Sequence, residues 1–201
     1  MKISTLIFDF GGVLMRTEDL APRRKWEARY GMKDWGLANL VFANPISDRA
    51  MVGAASTDEV WQHVAEELEL DTDELTILQR DFWSGDKLDI SLTDYVAARR
   101  GRMNTAILSN AWSDARAAFS RFPQLTEAFE LWVISAEEGV AKPEAEIYMR
   151  TLERIGVEPV EAVFVDDFTR NVRAAEALGM HAIHYESGMD VPAELARLGV
   201  D

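Results

Sequence analysis

Asp9 closes a short apolar run, Ile3 to Phe8, and is followed at once by Phe10, Gly11 and Gly12. The run reads as a buried strand. In open α/β sheets ligands bind at the carboxyl ends of the strands, and glycines there let the backbone approach a ligand and present N–H groups. Two later apolar runs end the same way. Thr105 to Leu108 ends in Ser109-Asn110, and Ala162 to Val165 ends in Asp166-Asp167. If the three strands are parallel neighbours, these groups converge on one edge although they are far apart in sequence. Three carboxylates brought together repel, and at least one takes up a proton unless a cation neutralises them. An oxygen-only ligand set suits Mg²⁺, which shares its shell with water and substrate phosphate. Taken singly, each pattern also fits a cap or a turn: Asp166-Asp167 before Thr169, Ser109-Asn110 before the next helix, and Lys142-Pro143 with Pro at a first helical turn.

The elements that must position these groups follow from periodicity. From residue 87 onward the chain alternates helix and strand. Helices are expected at Ser91–Arg100, Ser113–Arg121, Pro143–Ile155, Asn171–Leu178 and Pro192–Leu198. Strands are expected at Thr105–Leu108, Leu131–Ile134, Ala162–Val165 and His181–His184, the last with two polar positions suited to a sheet edge. This alternation implies an α/β fold with a parallel sheet and right-handed crossovers. Residues 15–86 read as helical throughout, with no strand. The clearest helix there opens on the capping box Ser56-Thr57-Asp58-Glu59 and buries Val60, Trp61, Val64, Ala65 and Leu68. Residues 1–14 and 87–201 therefore form the expected core, and 15–86 a helical cap inserted after the first strand. Arg23, Arg24, Lys25 and Arg29 make a basic helix face, and His63 lies off the apolar face.

Composition narrows the function classes. The 201 residues are 48% hydrophobic and 28% charged, with a net charge of −14, which allows one good-sized domain with an insertion. Such acidity argues against nucleic acid or an anionic membrane as the main partner. It leaves room for a small anionic substrate, because a bound cation or a lysine reverses the field inside one pocket. There is no cysteine, so thiolate catalysis, disulfides and Cys-based zinc sites are excluded. The first apolar run is too short for a signal peptide, and no segment approaches 18 apolar residues. A cytoplasmic protein, monomer or homodimer, is the expectation.

On these motifs the chain resembles the haloacid dehalogenase superfamily of hydrolases. The matching residues are Asp9 with Gly11-Gly12, then Leu108-Ser109-Asn110, then Lys142-Pro143, then Val163-Phe164-Val165-Asp166-Asp167 with Asn171 following. The resemblance implies a Rossmann-like sheet of order 5-4-1-2-3, a helical cap of the C1 type, and Mg²⁺-dependent phosphatase activity on a small phosphorylated metabolite. It implies Asp9 as the nucleophile that takes the phosphoryl group and Lys142 as the neutraliser of charge between nucleophile and phosphate. Metal would be held by Asp9, the Gly11 carbonyl and Asp167. Asp166 would support the metal shell or pair with Lys142. Ser109, Asn110 and Gly12 would hold phosphate oxygens. A carboxylate is ionised at neutral pH in its ordinary range, so Asp9 would need no activating base.

One position departs from the pattern. Phosphatases of this superfamily usually carry a second Asp two residues after the nucleophile, and here that residue is Gly11. A positioned general acid is worth about 10²–10⁴ in rate, so slow turnover or a preference for good leaving groups is expected. A 2-haloacid dehalogenase, which also lacks that Asp and needs no metal, is the main alternative; Asp166-Asp167 argues against it. A catalytically weak binding or regulatory protein is a further alternative. Trp26, Trp35 and residues 44–53 are candidates for substrate choice, with Met15, Arg16 and Thr17 as a hinge.

Overall fold

A computed structural model describes residues 2–200. Strand β1 (Thr5–Phe8) leads into the Asp9 loop and a short strand β2 (Met15–Thr17). Five helices follow: α1 (Ala21–Arg29), α2 (Gly36–Phe42), α3 (Pro45–Met51), α4 (Thr57–Glu67) and α5 (Thr72–Ser84). The chain returns through β3 (Asp86–Leu88) and α6 (Ile90–Ala97) to β4 (Asn104–Ser109). Then come α7 (Ala115–Phe119), α8 (Pro123–Ala128), β5 (Leu131–Ile134), α9 (Ser135–Glu138), α10 (Ala145–Ile155), β6 (Ala162–Asp166), α11 (Thr169–Ala177), β7 (His181–His184) and α12 (Val191–Arg197).

The main sheet has the order β5-β4-β1-β6-β7, and every pairing is parallel. Its five strands, counted in chain order and read from the β7 edge, run 5-4-1-2-3. β1 is central and wholly buried. That explains why it reads as a continuous apolar run rather than an alternating one. Leu6, Phe8, Ile107, Val163 and Val165 pack into one layer, with Leu92, Val96, Phe129 and Leu195 from the helices. Ile7, Ala106, Leu108 and Phe164 pack on the opposite face with Ile147, Tyr148 and Leu152 of α10.

The expectation of no strand within 15–86 is corrected: β2 and β3 pair antiparallel, with Met15 opposite Leu88 and Thr17 opposite Asp86. Each strand has three residues and carries polar side chains, too few positions for a period to show. The ribbon is tied by polar groups instead. Thr17 Oγ1 donates to Asp86 Oδ1 at 2.6 Å, and Arg16 bridges the Val13 carbonyl and Asp89 at 2.8 and 2.9 Å. Helices α1–α5 pack around a cluster of their own, including Trp26, Leu37, Val60, Trp61, Leu78 and Phe82. The capping box forms, with Ser56 and Glu59 each satisfying the other's backbone N–H. Arg23 is not part of an exposed basic face. Its side chain is buried against the Phe82 ring, donates to the Phe82 carbonyl at 2.7 Å and pairs with Asp86 at 2.9 Å.

Candidate functional site

Register places the site. Phe8 sits level with Ile107 of β4 and Val165 of β6, and Asp9 N–H continues the ladder to the Val165 carbonyl at 2.8 Å. Asp9 is therefore level with Leu108 and Asp166. Ser109 and Asp167 lie one residue further out on each side. The helix α10 begins at Ala145 rather than at Pro143, because Lys142 and Pro143 occupy a turn, with a cis bond between them, that delivers the lysine beside β1.

The Lys142 ammonium lies 2.8 Å from Asp9 Oδ1 and 2.7 Å from Asp166 Oδ2, and all three side chains are buried. Asp166 accepts three further hydrogen bonds: from Phe168 N–H at 2.7 Å, and from Asn171 Nδ2 at 3.0 and 3.1 Å to its two oxygens. The carboxylate of Asp166 is thus occupied as the anchor of Lys142 and of the turn into α11. Of the two placements expected for it, the structure shows the pairing with Lys142. Asn110 braces the lysine from the other side: its Nδ2 donates to the Lys142 carbonyl and its Oδ1 accepts from the Lys142 N–H, both at 2.8 Å.

Asp167 differs from its neighbour. Its Oδ1 is buried with no hydrogen-bond partner, a costly state for a carboxylate. Its other oxygen lies over Gly12, where an added Cβ would stand 2.1 Å away, and Gly12 has φ +81°. Gly12 is therefore required for space and backbone conformation. Its N–H donates to the Met15 carbonyl at 2.9 Å. Gly11 is exposed and a Cβ on it would meet nothing within 4 Å. Sequence reasoning missed His184, whose Nε2 lies 2.9 Å from the Asp167 carbonyl. The two polar positions noted on β7 were the available signal.

One ligand oxygen from each of Asp9, Asp166 and Asp167 lies within 4.8 Å of the others. Against these three carboxylates stands one ammonium. Burial, with the Asp166 and Asp167 charges adding to it and Lys142 opposing it, raises Asp9 to about 7. Burial and then the Asp166 charge also raise Asp167. A cation beside these acids would oppose that rise and favour the ionised form of Asp9. An orphaned buried oxygen, an oxygen-only donor set and an excess of negative charge all fit a hard divalent cation.

Trp26 is buried among the inserted helices, donating to Asp81 at 3.0 Å. Trp35 is exposed at the start of α2. Asn44 is spent as the cap of α3, accepting from Ile46 and Ser47 N–H. Trp112, in the loop that follows Ser109-Asn110, packs on Phe42 with ring centroids 5.5 Å apart, and Phe42 lies 6.0 Å from Trp83.

A parallel α/β sheet with an acid at the end of its central strand, a buried lysine and a cation-ready carboxylate group defines a Rossmann-like enzyme with one site on the carboxyl edge. The model for haloacid dehalogenase-like hydrolases matches residues 3–179, and the chain belongs to that family. It is 25% identical to the sesquiterpene phosphatase astK of Aspergillus oryzae, covering 96% of this chain and 94% of that protein. It is 26% identical to D-ribitol-5-phosphate phosphatase of Bacteroides thetaiotaomicron, covering 96% and 97%. A match at 32% identity to acyl-CoA dehydrogenase family member 10 of Mus musculus spans 48% of this chain and only 9% of that much longer protein. Among solved structures, a HAD family enzyme from B. thetaiotaomicron in complex with magnesium and inorganic phosphate shares the fold at TM-score 0.80 and 22% identity, over 96% of this chain and 98% of that one. Among the described residues no helix is long and apolar enough to cross a membrane.

Proposed function

We propose that this chain is a Mg²⁺-dependent phosphatase that hydrolyses a small phosphorylated metabolite through a phosphoryl group carried on Asp9. The observation that supports it most is the division of labour among the acids: Asp9 and Asp166 share Lys142, while Asp167 keeps a buried oxygen with no protein partner. Asp9, Asp167 and the Gly11 carbonyl would hold the cation, with Asp166 behind Lys142. Bound there, Mg²⁺ would neutralise the acid cluster and polarise phosphate oxygens. The phosphatase names of the two full-length relatives, and magnesium with phosphate in the structural neighbour, support the same reading.

An Asp9 oxygen attacks phosphorus, an Asp9–phosphorus bond forms, and the bond to the leaving oxygen breaks. Lys142 and the Ser109 hydroxyl, with the Asn110 N–H, stabilise the charge on the transferring phosphoryl group. The leaving oxygen must collect its proton from solvent, because Gly11 has none to offer. Water then attacks phosphorus, the bond between the Asp9 oxygen and phosphorus breaks, the water's proton passes to solvent, and inorganic phosphate leaves with the Asp9 carboxylate regenerated. Splitting one displacement into two lowers each barrier. Slow turnover, or preference for acyl, anomeric or aryl phosphates, follows from Gly11. The helices between β2 and β3 act as the cap that shapes the substrate pocket.

The test is phosphate release from a panel of phosphate esters with Mg²⁺, beside Asp9→Asn and a chelator. Release abolished by both supports the reading. No release above the Asp9→Asn background overturns it for those substrates. Chloride release from a 2-chloroacid, indifferent to chelator, replaces it with dehalogenation.

A further inference from the structure

Trp112 belongs to the loop after β4 by sequence and to the inserted helices by packing. Its buried ring lies 5.5 Å from Phe42 and 6.3 Å from Trp61, inside the cluster that also holds Phe82. Two residues on, Asp114 accepts a hydrogen bond from Thr57 Oγ1 at the start of α4, at 2.8 Å. The near end of the same loop is fixed to the core. Asn110 exchanges two hydrogen bonds with the Lys142 backbone. Ala111 N–H donates to Ser135 Oγ at 3.0 Å, and the Ala111 carbonyl accepts from Ala136 N–H at 3.3 Å. Gly53, after α3, sits so close to the Ala136 carbonyl that a Cβ would stand 2.3 Å from it.

We propose that Trp112 is a positioning residue that couples phosphate binding at Ser109-Asn110 to the seating of the inserted helices on the core. The proposal rests on the phosphatase reading above. From Ser109 to Asp114 the chain spans at most about 3.3–3.6 Å per residue, and both of its ends are held. Lifting the inserted helices therefore either extracts the indole into water or pulls on the loop held at Ser135 and Lys142. An aromatic side chain buries on the order of 150–250 Å², so extraction is disfavoured and the loop follows the helices. Coupling of this kind is reciprocal: phosphate on the loop favours seating by the factor with which seating favours phosphate.

The experiment is hydrogen exchange on the full chain, with and without Mg²⁺ plus inorganic phosphate. It compares the wild type, Trp112→Ala, Trp112→Leu and, as a control for a loosened cluster, Leu78→Ala on α5. In the wild type, Mg²⁺ and phosphate should slow exchange both in residues 109–114 and in α4. In Trp112→Ala, protection should be confined to the loop, with phosphate affinity lower by about 5-fold or more. Trp112→Leu keeps the cluster apolar and should show the same uncoupling, so the test survives if the alanine variant does not fold. Leu78→Ala should raise exchange in the inserted helices while keeping their response to phosphate. Wild-type protection confined to the loop, or an undiminished α4 response in both Trp112 variants, overturns the coupling alone. No response to Mg²⁺ and phosphate anywhere in the wild type overturns the phosphatase reading and the coupling with it.

Discussion

Gly11→Asp should turn a slow phosphatase into a faster one on substrates with poor leaving groups. Gly11 is exposed, its φ is not in the left-handed region, and an added Cβ meets nothing within 4 Å. A carboxyl group can therefore enter without displacing the loop. It would stand two residues beyond Asp9, where the family usually places its general acid. Such a group contributes about 10²–10⁴ in rate, or about 3–5 kcal/mol of barrier at 1.36 kcal/mol per factor of ten. An opposing effect is also expected. The new acid adds to three carboxylates faced by one ammonium, so it raises their proton affinity and weakens phosphate binding unless Mg²⁺ is saturating. The discriminating quantity is the ratio of kcat/KM on an alkyl phosphate to that on an aryl phosphate, measured for wild type, Gly11→Asp and Gly11→Asn at saturating Mg²⁺. The alkyl rate should rise by tens of fold or more in the Asp variant only, while the aryl rate changes little, since a good leaving group needs no proton. Equal changes on both substrates, or an equal gain in the Asn variant, would refute the argument that proton donation is what Gly11 lacks.

Breaking the buried ion group by Lys142→Met should cost about 3–5 kcal/mol, because two buried carboxylates lose their partner; urea unfolding near neutral pH checks this, and a loss well under 1 kcal/mol would contradict it. Gly12→Ala should reduce both the thermal stabilisation by Mg²⁺ and phosphate release. Its Cβ collides with Asp167, and its φ of +81° disfavours any side chain by about 1–2 kcal/mol. The pH dependence follows from the raised carboxyls. Asp9 and Asp167 hold protons more tightly in the folded chain than in the unfolded one, so without metal these groups make stability fall as pH rises from about 4 through about 7. Mg²⁺ binds the ionised forms. Its effect on Tm should therefore be larger at about pH 8 than at about pH 5; equal shifts in paired thermal melts would show that these carboxylates do not hold the cation.

How much of this was legible in the sequence depended on whether a residue's role is local. Asp9, Ser109 and Asp166-Asp167 each follow a run of buried apolar residues, so their place at strand ends follows from composition alone. The parallel register then brings them together. The Ser56 capping box and the apolar face of α4 were equally readable, because both need only four to twelve consecutive residues. The β2–β3 ribbon was not, since its three-residue strands are held by Thr17–Asp86 and Arg16–Asp89 contacts between positions about 70 apart. Arg23 and Trp26 looked like surface and pocket residues because nothing local reveals Phe82 and Asp81 across from them. The raised Asp9 and the orphaned Asp167 oxygen depend on burial by several elements at once. The occupied Gly12 N–H depends on how its own loop folds back onto Met15, which residue types do not disclose.

The most direct test of the central claim is to quench the wild-type protein with acid during turnover of its best phosphate ester and locate any added phosphoryl group by peptide mass spectrometry. The expected result is a phosphoryl group on Asp9, present only with Mg²⁺ and absent in Asp9→Asn. Turnover with the phosphoryl group on another residue, or undiminished turnover by Asp9→Asn, would contradict it.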